Sequence, residues 1–128
     1  MITSWSAGWS TEKGCHWALV DEDRQTLLGR VALKPHDLQD GTTGLAYWMV
    51  PAARGRGLCS AAVVAASEWA FRTAGFHRIE IEHSTANPAS GRVAQKAGFT
   101  VEGVRRGSAR HADGWHDMCM HGRLATDP

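Results

Sequence analysis

The stretch that most constrains this chain is "LAYWMVPAARGRGLCSAAVVAASEWAFRTAG", residues 45–75. Its first part, 45–50, is rich in aromatic and β-branched residues, reads as a strand and stops at Pro51. A long helix is predicted over about 57–74, with Leu58, Ala61, Ala62, Ala65 and Trp69 near helical spacing. The alanines make one face thin, which suits close packing on a sheet, and Gly75 supplies the stop. The next segment, "HRIEIEH" at 77–83, alternates with Ile79 and Ile81 on one face and reads as a strand. Strand, crossover helix and strand imply a parallel pair within a sheet. Between strand and helix stand Arg54, Gly55, Arg56 and Gly57, positive charge and backbone freedom at a helix start.

Short units surround this centre. "HWALV" (16–20) and "LLGRVAL" (27–33) read as a hairpin across a charged turn, with a loop at 34–41. "NPASGRVAQKAG" (87–98) reads as a short helix, with proline near its start and Gly98 at its end. "FTVEGVRR" and "WHDMCMHGRL" are the last two strands, joined by a "HADG" turn. The expected order is β-β-β-α-β-α-β-β, an α/β (α+β) fold on a mixed, mostly antiparallel sheet with flanking helices. At 128 residues, one domain over 1–128 is the natural reading, and its core needs no disulfide or structural metal. A net charge of +1 is far from the strong basicity of a general nucleic-acid coat. Cys15, Cys59 and Cys119 are too few and too scattered for a disulfide framework. Residues 1–10 lack the basic and apolar regions of a signal peptide, and no stretch approaches the roughly 20 apolar residues of a membrane span. The expectation is a cytoplasmic protein.

The first four N–H groups of a helix lack intrahelical partners and attract anions. Glycine lets them curl inward together, and arginine adds charge-assisted bonds to phosphate. Three phosphate loops compete for the segment. A Walker A loop needs a GK[ST] ending, which is missing. A dinucleotide loop begins at Gly55 and Gly57 but fails at Ser60. The diphosphate loop of acyl-CoA-dependent acetyltransferases, [QR]-x-x-G-x-[GA], fits Arg54 to Leu58, with Cys59 as a small departure at its end. A plain helix start with solvated arginines is the alternative.

The second element, "NPASGRVAQKAGFTVEG", follows the next strand. With P-x-x-R-G-x-G, N-x-x-S and K-x-G-F in this order, the chain resembles the GNAT superfamily of N-acetyltransferases over roughly residues 9–125. More narrowly it resembles the branch of the ribosomal-protein N-terminal acetyltransferases. The resemblance implies acetyl-CoA as cosubstrate, lying between the strands at 45–50 and 77–83. It implies diphosphate on the amides of Arg56 to Ser60, and a pantetheine arm pairing with the backbone of Met49 and Val50. Asn87 would bond the arm or the thioester region, and Arg92 and Lys96 would sit near the nucleotide. For these three, a helix cap and a solvated helix face are the plainer readings.

Acyl transfer to an amine needs a base, an oxyanion donor and a proton for the departing thiolate. A free N–H near Met49 or Val50 is the candidate oxyanion donor. The tyrosine acid of many members falls at Ala94, and Tyr47 is the chain's one tyrosine. The resemblance points instead to Ser90 near the thiol; His121 stands in the last strand where the family commonly has tyrosine, and as a histidine near neutral pH it is a candidate base. For both, a structural role is the plainer reading. Glu80 and Glu82 are not assignable as bases.

The resemblance also implies a preceding strand and helix of roughly 50 residues. Trp5 and Trp9 would belong to a remnant N-terminal helix, and the chain would be N-terminally truncated, by design or by a misassigned start. The uncovered edge and apolar surface predict a homodimer. Transfer to a peptide N-terminus or a small amine is one functional reading, and a non-catalytic acyl-CoA-binding module is another. A metal site in "HADGWHDMCMH", joined by Cys15, is a third; its spacing fits no zinc pattern, and no metal is expected.

Overall fold

The computed structural model describes residues 14–21, 23, 26–55 and 57–128, and the backbone of 4–11. Four strands come first: β1 (Ser4–Thr11), β2 (Gly14–Val20), β3 (Leu27–Asp37) and β4 (Thr42–Met49). A 3-10 turn at Pro51–Ala53 leads to helix α1 (Leu58–Arg72). Strand β5 (Arg78–Ser84), helix α2 (Pro88–Lys96) and strands β6 (Thr100–His111) and β7 (Gly114–Leu124) follow. The strands form one seven-stranded sheet in the order β1-β2-β3-β4-β5-β7-β6. Among the described strands only β4 and β5 are parallel, so the expected mixed, mostly antiparallel architecture is present.

The expected remnant N-terminal helix is a strand. Residues Ser4–Thr11 pair antiparallel with β2, with a register shift between Ala7 and Trp9. The four-residue spacing of Trp5 and Trp9 suits a helix turn, but four is also an even number and suits a strand. Tryptophan, serine and threonine resist helix formation, and Gly8 weakens it further. The expected loop at 34–41 is shorter than the sequence suggests. Strand β3 runs on to Asp37 through a bulge between Leu33 and His36, a place where Pro35 is tolerated within a sheet. Across the bulge Gly44 lies so close that a Cβ would stand 2.6 Å from the Lys34 carbonyl oxygen.

Both helices cover one side of the sheet. The thin face of α1 is Ala62, Ala66 and Ala70, all buried, and it rests on β3 and β4. Buried Ser67 satisfies its hydroxyl by donating to the Val63 carbonyl at 2.7 Å. Trp69 meets Trp17 of β2 edge-on, with ring centroids 5.2 Å apart. Leu19, Leu33, Val31, Ile79 and Ile81 fill the layer beneath. Gly75 and Gly98 close the two helices at positive φ, 80° and 91°.

The decisive feature is where β4 and β5 part. They pair at Thr42 with Arg78, Thr43 with Ile79 and Gly44 with Glu80, and at no later residue. Beyond Gly44, β4 leans on β3 alone while β5 stays with β7. A wedge opens in the middle of the sheet, with α1 and α2 starting on either side of it.

Candidate active site

The wedge has an exposed strand edge built into it. The Val50 N–H donates to Leu28 O at 2.9 Å, so Val50 and Leu28 are a hydrogen-bonded pair. Antiparallel pairs alternate, so Met49 and Tyr47, opposite Gly29 and Val31, turn their N–H and C=O groups away from β3 into the wedge. Arg54 Nε donates to Met49 O at 3.3 Å, leaving the Met49 N–H facing the cleft. This corrects the expected role of Val50. Its N–H serves Leu28 and points away from the wedge, so it is not the free oxyanion donor, and its carbonyl accepts from Ala53 N at 3.0 Å. The backbone pair presented is Tyr47 and Met49, and the missed signal was strand alternation itself.

At the end of the wedge lies the glycine loop. Gly55 and Gly57 have φ of 79° and 71°, and Gly57 is the N-cap of α1. Nothing crowds either glycine, so backbone shape, and not space, calls for them. The first intrahelical bond runs from Ala61 N to Gly57 O, and among the described residues no side chain caps the helix. The amides of Leu58, Cys59 and Ser60 therefore lack helical partners. A cavity of about 470 Å³ opens over them. Its walls include Met49, Arg54, Gly55, Gly57, Leu58, Cys59 and Ser60 on one side, and Asn87, Ser90, Arg92 and Lys96 on the other. These sequence-predicted residues are thus brought together, while Arg56 lies outside the described residues. Burial pushes the Cys59 thiol up to about 11, so it stays protonated at neutral pH.

Asn87 caps α2, its Oδ1 accepting from Ser90 N at 3.3 Å, and still lines the cavity. The Ser90 hydroxyl donates to the Tyr47 oxygen at 2.9 Å, and the Tyr47 hydroxyl donates to Ser90 O at 2.7 Å. A tyrosine from β4 thus places its hydroxyl across the wedge at the start of α2. Burial, opposed by the Ser90 hydrogen bond and reinforced by Cys59, raises its pKa to about 12. Ala94, where many relatives were expected to carry tyrosine, is buried in the core.

His121 does not reach the cleft. It is 1% exposed, lines neither of the cavities flanking Tyr47, and faces His83 with 2.9 Å between their Nε2 atoms. Its expected role as base is not supported by this placement, because an amine has no way to touch it. The "HADGWHDMCMH" segment divides into two groups, His83–Cys119–His121 and His111–Asp113–His116. In the first, the 2.9 Å gap is shorter than the roughly 3.3 Å that two nitrogens on a tetrahedral zinc require. Cys15 joins neither; its sulfur lies 3.7 Å from His36 Nε2.

A second cavity, of about 420 Å³, adjoins the first and shares Tyr47, Asn87 and Ser90 with it. Glu82, Ser84 and His116 stand on its far side.

The sheet is thus wedged open beside a helix start whose first amides lack helical partners. The family model of the acetyltransferase (GNAT) domain matches residues 1–100, and the chain belongs to that family. It is 29% identical over 119 residues to "Probable N-acetyltransferase YjcK" of Bacillus subtilis, covering 91% of this chain and 65% of that protein. A second Bacillus subtilis protein, "Uncharacterized N-acetyltransferase YoaA", is 26% identical over 106 residues, covering 83% and 60%. The chain thus spans slightly less than two thirds of these curated relatives. Among solved structures, a mutant of the spermidine N-acetyltransferase SpeG from Vibrio cholerae superposes with a TM-score of 0.82 at 18% identity, covering 88% of this chain and 66% of that one. A "probable acetyltransferase" superposes at 0.81 with 24% identity, covering 88% and 62%. None of these carries the name of the ribosomal-protein branch.

Proposed function

We propose that the chain is an acetyl-CoA-dependent N-acetyltransferase that moves an acetyl group directly to a primary amine. The observation that carries this reading is the continuity of the wedge. It runs from the unclaimed amides of Leu58 to Ser60, past the bare edge of Met49 and Tyr47, to the junction of two cavities at Tyr47, Asn87 and Ser90. The diphosphate takes the amides, with Arg54 close by, and Arg92 and Lys96 face the nucleotide end. The pantetheine arm adds to the β4 edge as a strand would. The thioester then reaches the junction, where the Met49 N–H faces the carbonyl oxygen as negative charge develops on it. The Ser90 and Tyr47 hydroxyls, both protonated at neutral pH, supply hydrogen bonds and a proton to the departing thiolate.

The acceptor enters by the second cavity. Glu82 there favours an amine carried as a cation, as polyamines and peptide N-termini are. Spermidine, the substrate in the names of the Vibrio neighbours, is one member of that class. A cytoplasmic location goes with this proposal; among the described residues no helix is long and apolar enough to cross a membrane. A homodimer is part of it too, since the β6 edge strand exposes Val101 and Val104.

The test is transfer from radiolabelled acetyl-CoA to a panel of spermidine, small primary amines and short peptides. Labelled amide with at least one of them is the expected result. Acetyl-CoA binding with no transfer to any would leave a non-catalytic binding module instead. Sedimentation of the same sample reads the dimer, and a single monomer species at high concentration removes that part.

A further inference from the structure

The proposed transfer lacks a base, and one stands at the back of the acceptor cavity. Ser84 ends β5 and is 8% exposed. Its hydroxyl oxygen lies 2.5 Å from Nδ1 of His116, which comes from β7. His116 Nε2 in turn lies 2.5 Å from a carboxylate oxygen of Asp113, in the β6–β7 turn. The protonation pattern follows from the chemistry of the partners. The hydrogen bond from His116 holds the Asp113 carboxyl below its usual range, so it is an acceptor at neutral pH. In the neutral imidazole the proton on Nε2 is the one donated to Asp113, and Nδ1 is then bare to accept from the Ser84 hydroxyl. Serine, imidazole and carboxylate thus stand in the order that activates a hydroxyl in acyl-transfer enzymes, with the two ring nitrogens exchanged. Ser84 and His116 both line the cavity that meets the first at Tyr47 and Ser90.

Two roles suit such a trio, a nucleophile or a relay of protons. A nucleophilic serine needs free N–H groups to hold the oxyanion that forms on its substrate. The nearby amides are already used: Thr85 N donates to Asp117 O, Asn87 N to Ser84 O, and Ala86 N to the Ser84 hydroxyl oxygen itself. The last bond also blunts the oxygen as a nucleophile while leaving it able to pass a proton.

We propose that Ser84, His116 and Asp113 form the proton relay that deprotonates the acceptor amine, a role that rests on the transferase reading above. The ammonium gives its proton to the Ser84 oxygen as the serine's own proton moves to His116 Nδ1, and Asp113 holds the imidazolium that results. The freed nitrogen lone pair forms the new N–C bond to the thioester carbonyl. The C–S bond breaks with its electron pair on sulfur, the sulfur takes a proton from the Ser90–Tyr47 pair, and the second proton that the nitrogen loses as the amide forms restores that pair. His116 returns its proton to water between turnovers.

The experiment compares kcat/KM of the wild-type protein, His116→Gln, Ser84→Ala and Asp113→Asn with two kinds of acceptor. Spermidine and ethylamine are cations at neutral pH; 2,2,2-trifluoroethylamine is largely neutral there and arrives with its lone pair free. Asp113 is exposed, so its variant keeps the fold even if a change at buried Ser84 does not. His116→Gln is expected to lose about 100-fold, and Asp113→Asn about 10-fold, with the cationic amines, the scale of general-base catalysis. Both are expected to stay within a few-fold of wild type with the fluorinated amine and to bind acetyl-CoA unchanged. Equal losses with both kinds of amine, or none with either, would overturn the relay while the transferase reading stands. A wild-type protein that binds acetyl-CoA yet transfers to none of the three, nor to any peptide of the wider panel, would overturn the transferase reading and the relay with it.

Discussion

His121 was expected in the cleft and lies in the core. Burial first, and then the neighbouring His83 imidazole, push its pKa below the ordinary 6.5. Among the described residues its buried Nδ1 has no hydrogen-bond partner, a cost of about 1–3 kcal/mol for a desolvated polar atom. The folded state thus holds His121 neutral, and on acidification the unfolded chain takes up the proton first. The stability this residue provides is complete above about pH 6.5 and drains as pH falls through that value toward the depressed folded-state pKa. Burial acts on His36 in the same direction. Thermal melts between about pH 7.5 and 5 are expected to show a falling Tm that flattens in His121→Gln. Parallel curves for the two proteins would show that His121 does not carry the effect. Residue types were a poor guide here, because a histidine two positions from a cysteine on a strand reads alike whether it faces a cleft or a core. Tyr47 shows the same limit from the other side: its contact with Ser90 spans 43 residues of sequence, and no local pattern encodes it.

Elements were more legible than residues. The helix expected at 57–74 is Leu58–Arg72 and that at 87–98 is Pro88–Lys96, both closed by the glycines that marked their ends. Alternation located β5, aromatic and β-branched content located β4, and the charged turn between two apolar runs located the core of β2 and β3. What failed was β1, where a spacing of four fits both periods, and the end of β3, where a proline inside a bulge looks like a loop. The thin face of α1 has a measurable consequence. Ala66 is 3% exposed between Ala62 and Ala70, with no room for a longer side chain. Ala66→Leu is expected to destabilise the fold by about 1–3 kcal/mol through overpacking. Chemical denaturation reads this directly, and an unchanged midpoint would mean that α1 does not rest on the sheet as closely as described.

At the scale of the whole molecule, one break in pairing organises everything else. Had β4 and β5 stayed paired past Gly44, the Met49 edge would be filled and the α1 amides would look onto a closed sheet. The glycine-arginine segment marked the helix start that lies at the end of the wedge, because helix-start chemistry is local. The splay itself was knowable only through family resemblance, since it arises from which strands β4 and β5 choose as partners. The proposed function therefore depends on whether the wedge takes acetyl-CoA. The measurement is the thermal melt of the wild-type protein and of Arg54→Glu, each with and without millimolar acetyl-CoA. Ligand at about 100 times its Kd adds about 2.7 kcal/mol to the folded state, which is several degrees for a domain of this size. The account predicts that shift in the wild-type protein and its loss when the exposed Arg54 becomes acidic. No shift in the wild type, or an equal shift in both, would contradict it.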